Sequence, residues 1–380
     1  MNVANYLAVN ACRFPSRTVI YHGDLPVHSY ASLARVAQRW AAFFCHEAGL
    51  LPGDRVALFL PNSSAYIELL CGAWYAGLVV VPINYKLSVS EVSHIVEDSG
   101  SRIVFTEHDE VAQALSSSQI LPPVLLAEEA VGASRDTFPI FRAAADPAWI
   151  FYPSGTTGKP KGATLSHLNL AAMSFSYVAN IEQITADSKL VHFAPMSHGS
   201  GLYVVPYLMA GGANIIPASL KFTGENFVTT LANHARVSMF LAPTMIRRVL
   251  DYIAQNKPDF SADHIDTITY GGGPMYAKDL SEALTVFGLR LVQIYGQGES
   301  PMTITYLGKE QHRDLTPENL QARLEISPLL PVGQSHPQLE VTIQNHDDVC
   351  LPVGEEGEVC VRGDIVMNGY WENATANQET

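Results

Sequence analysis

Short, continuously apolar runs alternate with helix-period stretches along most of this chain, and that alternation limits the fold more than any other feature. RVALFLP (55–61), LVVVPI (78–83), RIVFTE (102–107), KLVHFAP (189–195), ANIIPA (213–218), SMFLAP (238–243) and TITYGG (267–272) read as buried strands. Between them lie helical patterns. Ser29 is placed to cap a stretch in which Leu33, Val36, Ala37, Trp40 and Phe44 recur at helical spacing. A helix is expected from about Ser63 to Ala76, and Ser90 is expected to cap EVSHIVEDSG. Strands apolar on both faces need cover on both faces, so repeated strand–helix–strand units predict an α/β fold with parallel or mixed sheets. After about Arg323 the pattern changes. PVGQSHPQLEVTIQN (331–345), GEEGEVCVRGD (354–364) and VMNGYW (366–371) read as short strands with Gly and Pro turns. This predicts two packed αβ subdomains over 1–322 and a small β-rich subdomain over 323–380.

The 380 residues carry 23 Lys+Arg against 37 Asp+Glu, a net charge of −14. A chain without a basic field gains little from releasing counterions, which argues against nucleic acid as a partner. Any anionic ligand must be held by a few local donors. The five cysteines, Cys12, Cys45, Cys71, Cys350 and Cys360, form no CxxC pair and are odd in number. That predicts a reducing compartment, with neither a disulfide framework nor a zinc cluster. No basic leader precedes an apolar block at the N-terminus, and the uncharged run from Leu69 to Ile83 falls short of the roughly 18 residues that span a bilayer. A cytoplasmic protein with no transmembrane segment is expected.

Chemistry concentrates in Tyr152–Gly162, YPSGTTGKPKG, which follows the apolar AWIF. Gly155, Gly158 and Gly162 let backbone N–H groups turn toward an anion. Ser154, Thr156 and Thr157 add hydroxyl donors, and Lys159 and Lys161 add charge. Such a loop suits a polyphosphate. It is not a Walker loop, because two residues rather than four separate Gly155 from Gly158 and Pro160 follows Lys159. Composition alone favours a solvated flexible loop, the density of donors weighs against that, and spacing alone does not decide between them.

The segment resembles the phosphate-loop signature of the adenylate-forming superfamily: acyl-CoA synthetases, aryl-CoA ligases, luciferases and peptide-synthetase adenylation domains. Further stretches resemble that family's other signatures in order. They are AGLVVVPINYKLSVSEVSHIVEDSG (76–100) upstream, PMSHGSG (195–201), YGGGPM (270–275), QIYGQGES (293–300) and GEVCVRGDIVMNGYW (357–371). The resemblance spans nearly the whole chain. It implies the large N-terminal domain of these enzymes, with two helix-flanked mixed or parallel β-sheets and a small β-barrel-like subdomain. It also implies a two-step reaction, in which a carboxylate attacks the α-phosphate of ATP and a thiol, usually of coenzyme A, then takes the acyl group.

By the same resemblance, Ser154, Gly155, Thr156, Thr157, Gly158, Lys159, Lys161 and Gly162 would wrap the phosphates, with Lys161 catalytic. Gly272, Gly273 and Pro274 would border adenine and Tyr295 would lie against it, followed by Gly296, Gln297 and Gly298. Glu299 would hold Mg²⁺, a hard ion suited to carboxylate and phosphate oxygens. His198, Gly201, Thr244 and Gly271 would line the acyl pocket, with His198 a pocket wall near the thioester-forming site rather than a general base. VHFAPMSHGSGLYVVPYLMAGG (191–212) contains no acidic residue to meet an ammonium, which disfavours amino acids and favours a fatty or aryl acid.

Three departures from the family pattern stand out. Pro153 replaces a usual threonine. Gly298 stands where Thr commonly precedes the acid, and losing that hydroxyl would lower adenylation about 10²-fold unless something replaces it. The chain also stops at Thr380, before the family's ribose-binding Asp, its hinge and the lid domain that carries a catalytic lysine. Impaired turnover by residues 1–380 alone is therefore expected. Two alternatives remain open: an acyl-AMP ligase that loads an acyl carrier protein, and a non-catalytic adenylate-binding relative.

Overall fold

The structure is a computed structural model and describes residues 1–116, 138–153, 160–315, 319–320 and 330–379. In chain order the strands begin with β1 (Thr18–His22), β2 (Leu25–Ser29), β3 (Arg55–Phe59), β4 (Val79–Pro82) and β5 (Ile103–Thr106). There follow β6 (Pro147–Phe151), β7 (Ala163–Ser166), β8 (Lys189–Val191), β9 (Ala213–Ile216), β10 (Val237–Leu241) and β11 (Ile265–Tyr270). The series ends with β12 (Leu291–Tyr295), β13 (Thr305–Leu307), β14 (Gln334–Ser335), β15 (Glu340–Gln344) and β16 (Glu358–Arg362).

A five-stranded sheet runs β5-β3-β4-β6-β7 and a nine-stranded sheet runs β14-β13-β12-β11-β10-β8-β9-β1-β2. Both are mixed. β3 to β6 are parallel and β7 turns back antiparallel on β6. β8 to β12 are parallel, with β13 antiparallel at one side. β15 and β16 form a separate antiparallel ribbon, whereas β14 adds to the nine-stranded sheet. The expected boundary at 322/323 lies outside the described residues.

Local sequence explains most elements. Ser29 caps Tyr30–Ala42 through a capping box with Ser32, as its position predicts. Ser63 caps Ser64–Tyr75. The expected cap at Ser90 is wrong by two residues: Ser88 caps Val89–Ser99, because Glu91 stands three residues after Ser88 and returns a bond to its backbone N–H. Ser64–Tyr75 lies deep in the core beside Tyr30–Ala42. A Cβ at Gly72 would sit 2.3 Å from the Trp40 Cβ, so glycine is what lets the two helices meet.

One polar side chain links the two sheets. Asn62, just beyond β3, donates to the carbonyls of His192 and Ala194 and accepts from the Met196 N–H. It therefore fixes the segment leaving β8 that carries PMSHGSG. Among the described residues, no helix is long and apolar enough to cross a membrane.

Candidate active site

β11 and β12 are parallel neighbours, so their carboxyl ends open on the same edge, where α/β sheets bind ligands. β11 runs into Gly271–Pro274 and β12 into Gly296, and the two turns enclose a cleft of about 580 Å³ lined by Gly272, Gly273, Pro274, Tyr295 and Gly296. Gly272 has φ +73°, and a Cβ at Gly271 would lie 2.5 Å from the Ile294 carbonyl oxygen. Side chains there would push the turn off β12. Leu330 and Val332 close the cleft from another side. They had no signal in the sequence, being ordinary apolar residues in a loop. Gln297 points its amide at the Tyr295 hydroxyl, 3.4 Å away.

Glu299 is half-buried beside this cleft. Its Oε1 accepts a hydrogen bond of 2.8 Å from the Tyr370 hydroxyl. The Tyr370 ring in turn faces the Lys161 ammonium, with Nζ 5.2 Å from the ring centroid. The segment carrying Tyr370 crosses both sheets. Met367 N–H donates to the Glu299 carbonyl, Asn368 N–H to Thr164 and Trp371 N–H to Gly162, while Thr164 N–H donates to Gly369. Tyr370 thus belongs to the site although its motif was read only as a family segment.

Ser154, Gly155, Thr156, Thr157, Gly158 and Lys159 lie outside the described residues. Their flanks are held firmly. The Tyr152 hydroxyl donates to Asp98 at 2.6 Å, and a Cβ at Gly162 would meet that same hydroxyl oxygen at 2.8 Å. Pro153 is half-buried and Lys161 is exposed.

His198 is half-buried, its Nδ1 lies 3.0 Å from Ser197 Oγ, and its ring meets Phe151 edge-on at 5.8 Å. Burial pushes its pKa below the ordinary histidine value, so the ring is neutral at neutral pH. Phe151 also accounts for Gly298. A Cβ at position 298 would lie 2.6 Å from the Phe151 ring, so that ring stands where the usual threonine would begin. Gly201 is fixed by packing, since its Cβ would fall 1.8 Å from the Met196 carbonyl oxygen. Thr244 is exposed on the first turn of helix Pro243–Asn256 and does not line the 580 Å³ cleft.

Two buried networks back the site. His192 meets Ser200 Oγ at 2.8 Å and Asn214 Oδ1 at 3.0 Å, tying the His198 segment to β9. Glu182 accepts from the hydroxyls of Tyr177, Tyr207 and Ser238, and burial raises its pKa. Both oxygens are occupied by hydroxyl donors, so this acid is no ready partner for an ammonium.

Among the described residues no three His, Cys, Asp or Glu side chains cluster as a metal site. Glu299 alone fits a magnesium ion that takes its other ligands from phosphate and water, the usual preference of that ion. Its Oε1 is taken by Tyr370, and no described residue bonds Oε2.

Nucleotide-sized space at parallel strand ends, an adjacent acid and a facing lysine define a nucleotide-binding α/β enzyme. Residues 7–371 match the AMP-binding enzyme family, and the chain belongs to it. It is 30% identical over 370 residues to a feruloyl-CoA synthase of Amycolatopsis sp, covering 96% of this chain and 70% of that protein. It is 29% identical to the fatty acid–[acyl-carrier-protein] ligase ScoC of Streptomyces coeruleorubidus, covering 93% and 67%. The fold is similar to ATP-bound MatB from Rhodopseudomonas palustris, with TM-score 0.83, 27% identity and coverage of 100% and 74%. It is also similar to the inhibitor-bound N-terminal domain of FACL13 from Mycobacterium tuberculosis, with TM-score 0.80, 25% identity and coverage of 100% and 93%. The chain is an acid–thiol ligase of the ATP-dependent kind, which forms an acyl-adenylate and then a thioester.

Proposed function

We propose that this chain activates an aryl or fatty acid and transfers it to coenzyme A, with adenine in the cleft between Gly272 and Tyr295. The observation that carries the reading is that Glu299, three residues beyond the cleft-lining Gly296, and Lys161 meet at one side chain, Tyr370. The acid's carboxylate oxygen attacks the α-phosphorus, and the bond to the pyrophosphate oxygen breaks. Negative charge builds on phosphate oxygens, and donors already fixed around them lower the barrier. In this reading residues 154–162 cradle the phosphates and Lys161 neutralises charge. Glu299 would hold Mg²⁺, which offsets phosphate charge when bound. Neutral His198 and Phe151 wall the acyl group, with Gly201 and Gly271 shaping the pocket; Thr244 would reach it only from its rim. The thiolate sulfur then attacks the acyl carbonyl, and AMP leaves with its phosphate oxygen.

For the acceptor, a second cleft of about 540 Å³ is lined by Lys86, Lys221 and Arg248 together with Phe193, Phe222 and Met245. Three cations beside apolar surface, on a chain of net charge −14, suit a phosphorylated thiol such as coenzyme A. A relative that loads an acyl carrier protein makes that the competing acceptor. Residues 1–322 would supply most of the ATP and acyl sites, and the β-rich part over 323–380 would add Leu330, Val332 and Tyr370 to them.

The test is acid-dependent exchange of labelled pyrophosphate into ATP across fatty, aryl and amino acids, followed by thioester detection with coenzyme A or a holo carrier protein. Exchange with aryl or fatty acids and a coenzyme A thioester are expected. Exchange with amino acids only, or none with any acid while ATP binds, would overturn the reading.

A further inference from the structure

We infer that Tyr370 is a positioning residue for the nucleotide-metal side of the site, acting by holding one oxygen of Glu299 while its ring faces Lys161. The inference rests on the proposed role of Glu299 and deepens it. A carboxylate on a flexible stem can rotate both oxygens through the site, and an ion that demands strict geometry loses affinity when its ligand wanders. Here Oε1 is engaged by the Tyr370 hydroxyl at 2.8 Å, which leaves Oε2 as the oxygen to present. Such outer partners of a metal ligand commonly change metal affinity by about 10–100-fold when removed.

The position of Tyr370 is itself fixed from several directions. Its N–H donates to Asn377 Oδ1 at 2.6 Å and its carbonyl accepts from Asn377 Nδ2 at 3.0 Å. It pairs across an antiparallel bridge with Ala163 in β7, and Met367, three residues earlier, bonds the Glu299 backbone. One side chain therefore joins a group carried beyond β12 in the nine-stranded sheet to a group leading into β7 in the five-stranded sheet. A tyrosine kept only for packing would have no need of a hydroxyl aimed at a carboxylate.

The test titrates Mg²⁺ against ATP binding, read by calorimetry without acid substrate, so turnover plays no part. Tyr370→Phe keeps the ring facing Lys161 and removes the hydroxyl. We expect the Mg²⁺ half-saturation to rise on the order of tenfold, with the melting temperature of the ligand-free protein and ATP binding in EDTA unchanged. Asn377→Ala, an exposed change remote from Glu299, should shift the half-saturation in the same direction by less. That variant decides the matter if Tyr370→Phe folds poorly. Glu299→Gln should raise the half-saturation further, and adding Tyr370→Phe to it should do nothing more. Unchanged Mg²⁺ dependence in Tyr370→Phe, with Glu299→Gln clearly shifted, would overturn the inference and leave the function standing. Additive effects in the double variant would overturn it as well. No effect of Glu299→Gln would instead remove the reading of Glu299 on which the inference rests.

Discussion

The two sheets contribute to the site in different ways. The nine-stranded sheet offers strand ends: β11 and β12 stop side by side, and glycines 271–273 let their turns form a walled cleft ahead of Glu299. The five-stranded sheet offers a loop: β6 and β7 are antiparallel neighbours, and residues 152–162 join them, leaving Lys161 exposed. In the proposed function the first wall recognises the nucleotide's shape and the second supplies donors and charge. Contacts that register them include Asn62, the Phe151 ring against Gly298 and His198, and the segment ending in Tyr370. Recognition and charge stabilisation can thus be perturbed separately.

The sharpest way to break this comparison is at the acid. Glu299→Gln should lower acid-dependent pyrophosphate exchange by about 10²–10³-fold, whereas Lys161→Ala on the exposed loop should lower it by about two- to fivefold, the range for one exposed charge. Equal losses would mean that the two walls do not differ in kind. Acid should strain the walls unequally. Burial lowers the pKa of His192 and His336 on the nine-stranded side and of His167 after β7 from 6.5 to about 4. The unfolded chain takes up these protons first, so stability is full above about pH 6.5 and is lost as pH falls toward 4. Each histidine contributes up to about 1.4 kcal/mol per pH unit. Hydrogen exchange at pH 5 should therefore rise more in β8 and β9 than in β6 and β7.

A smaller effect is expected at the seam. Gly298→Thr forces a side chain against Phe151 and should cost about 1–3 kcal/mol in denaturant midpoint. Phe151→Val should recover most of it in the double variant, as direct neighbours do not behave additively. The smallest concerns the acceptor: Lys86→Ala or Arg248→Ala should raise the coenzyme A KM about two- to fivefold with kcat unchanged, the range for one exposed charge. A change in kcat instead would move the second cleft into the adenylation site.

Features written as contiguous residues were legible in the sequence. The apolar strands and the caps at Ser29 and Ser63 each follow from neighbours along the chain, whereas the roles of Gly272–Pro274 and Glu299 come from the family resemblance. The Ser88 cap shows the limit of that reading: two serines compete two residues apart, and the reciprocal bond to Glu91 decides. What was not legible depends on distant pairs. Gly298 alone reads as a lost hydroxyl, and only with Phe151 alongside does it read as a position where a side chain would meet a ring. Asn62 sits 130 residues before the His192 carbonyl it supports. Tyr370 is 71 residues from Glu299, and nothing in its own segment announces an acid as its partner.

In the proposed function an acyl-adenylate spans both walls. Its most direct test is the melting shift of this chain with non-hydrolysable acyl-adenylate analogues bearing fatty, aryl or aminoacyl groups. A ligand that binds only the folded state stabilises it by RT ln(1 + [L]/Kd), about 2.7 kcal/mol at a hundredfold excess over Kd. The account predicts a shift with the aryl or fatty analogue, none with the aminoacyl analogue, and a smaller shift in Tyr370→Phe with ATP and Mg²⁺. A shift confined to the aminoacyl analogue, or none with any analogue while the protein stays folded, would contradict it.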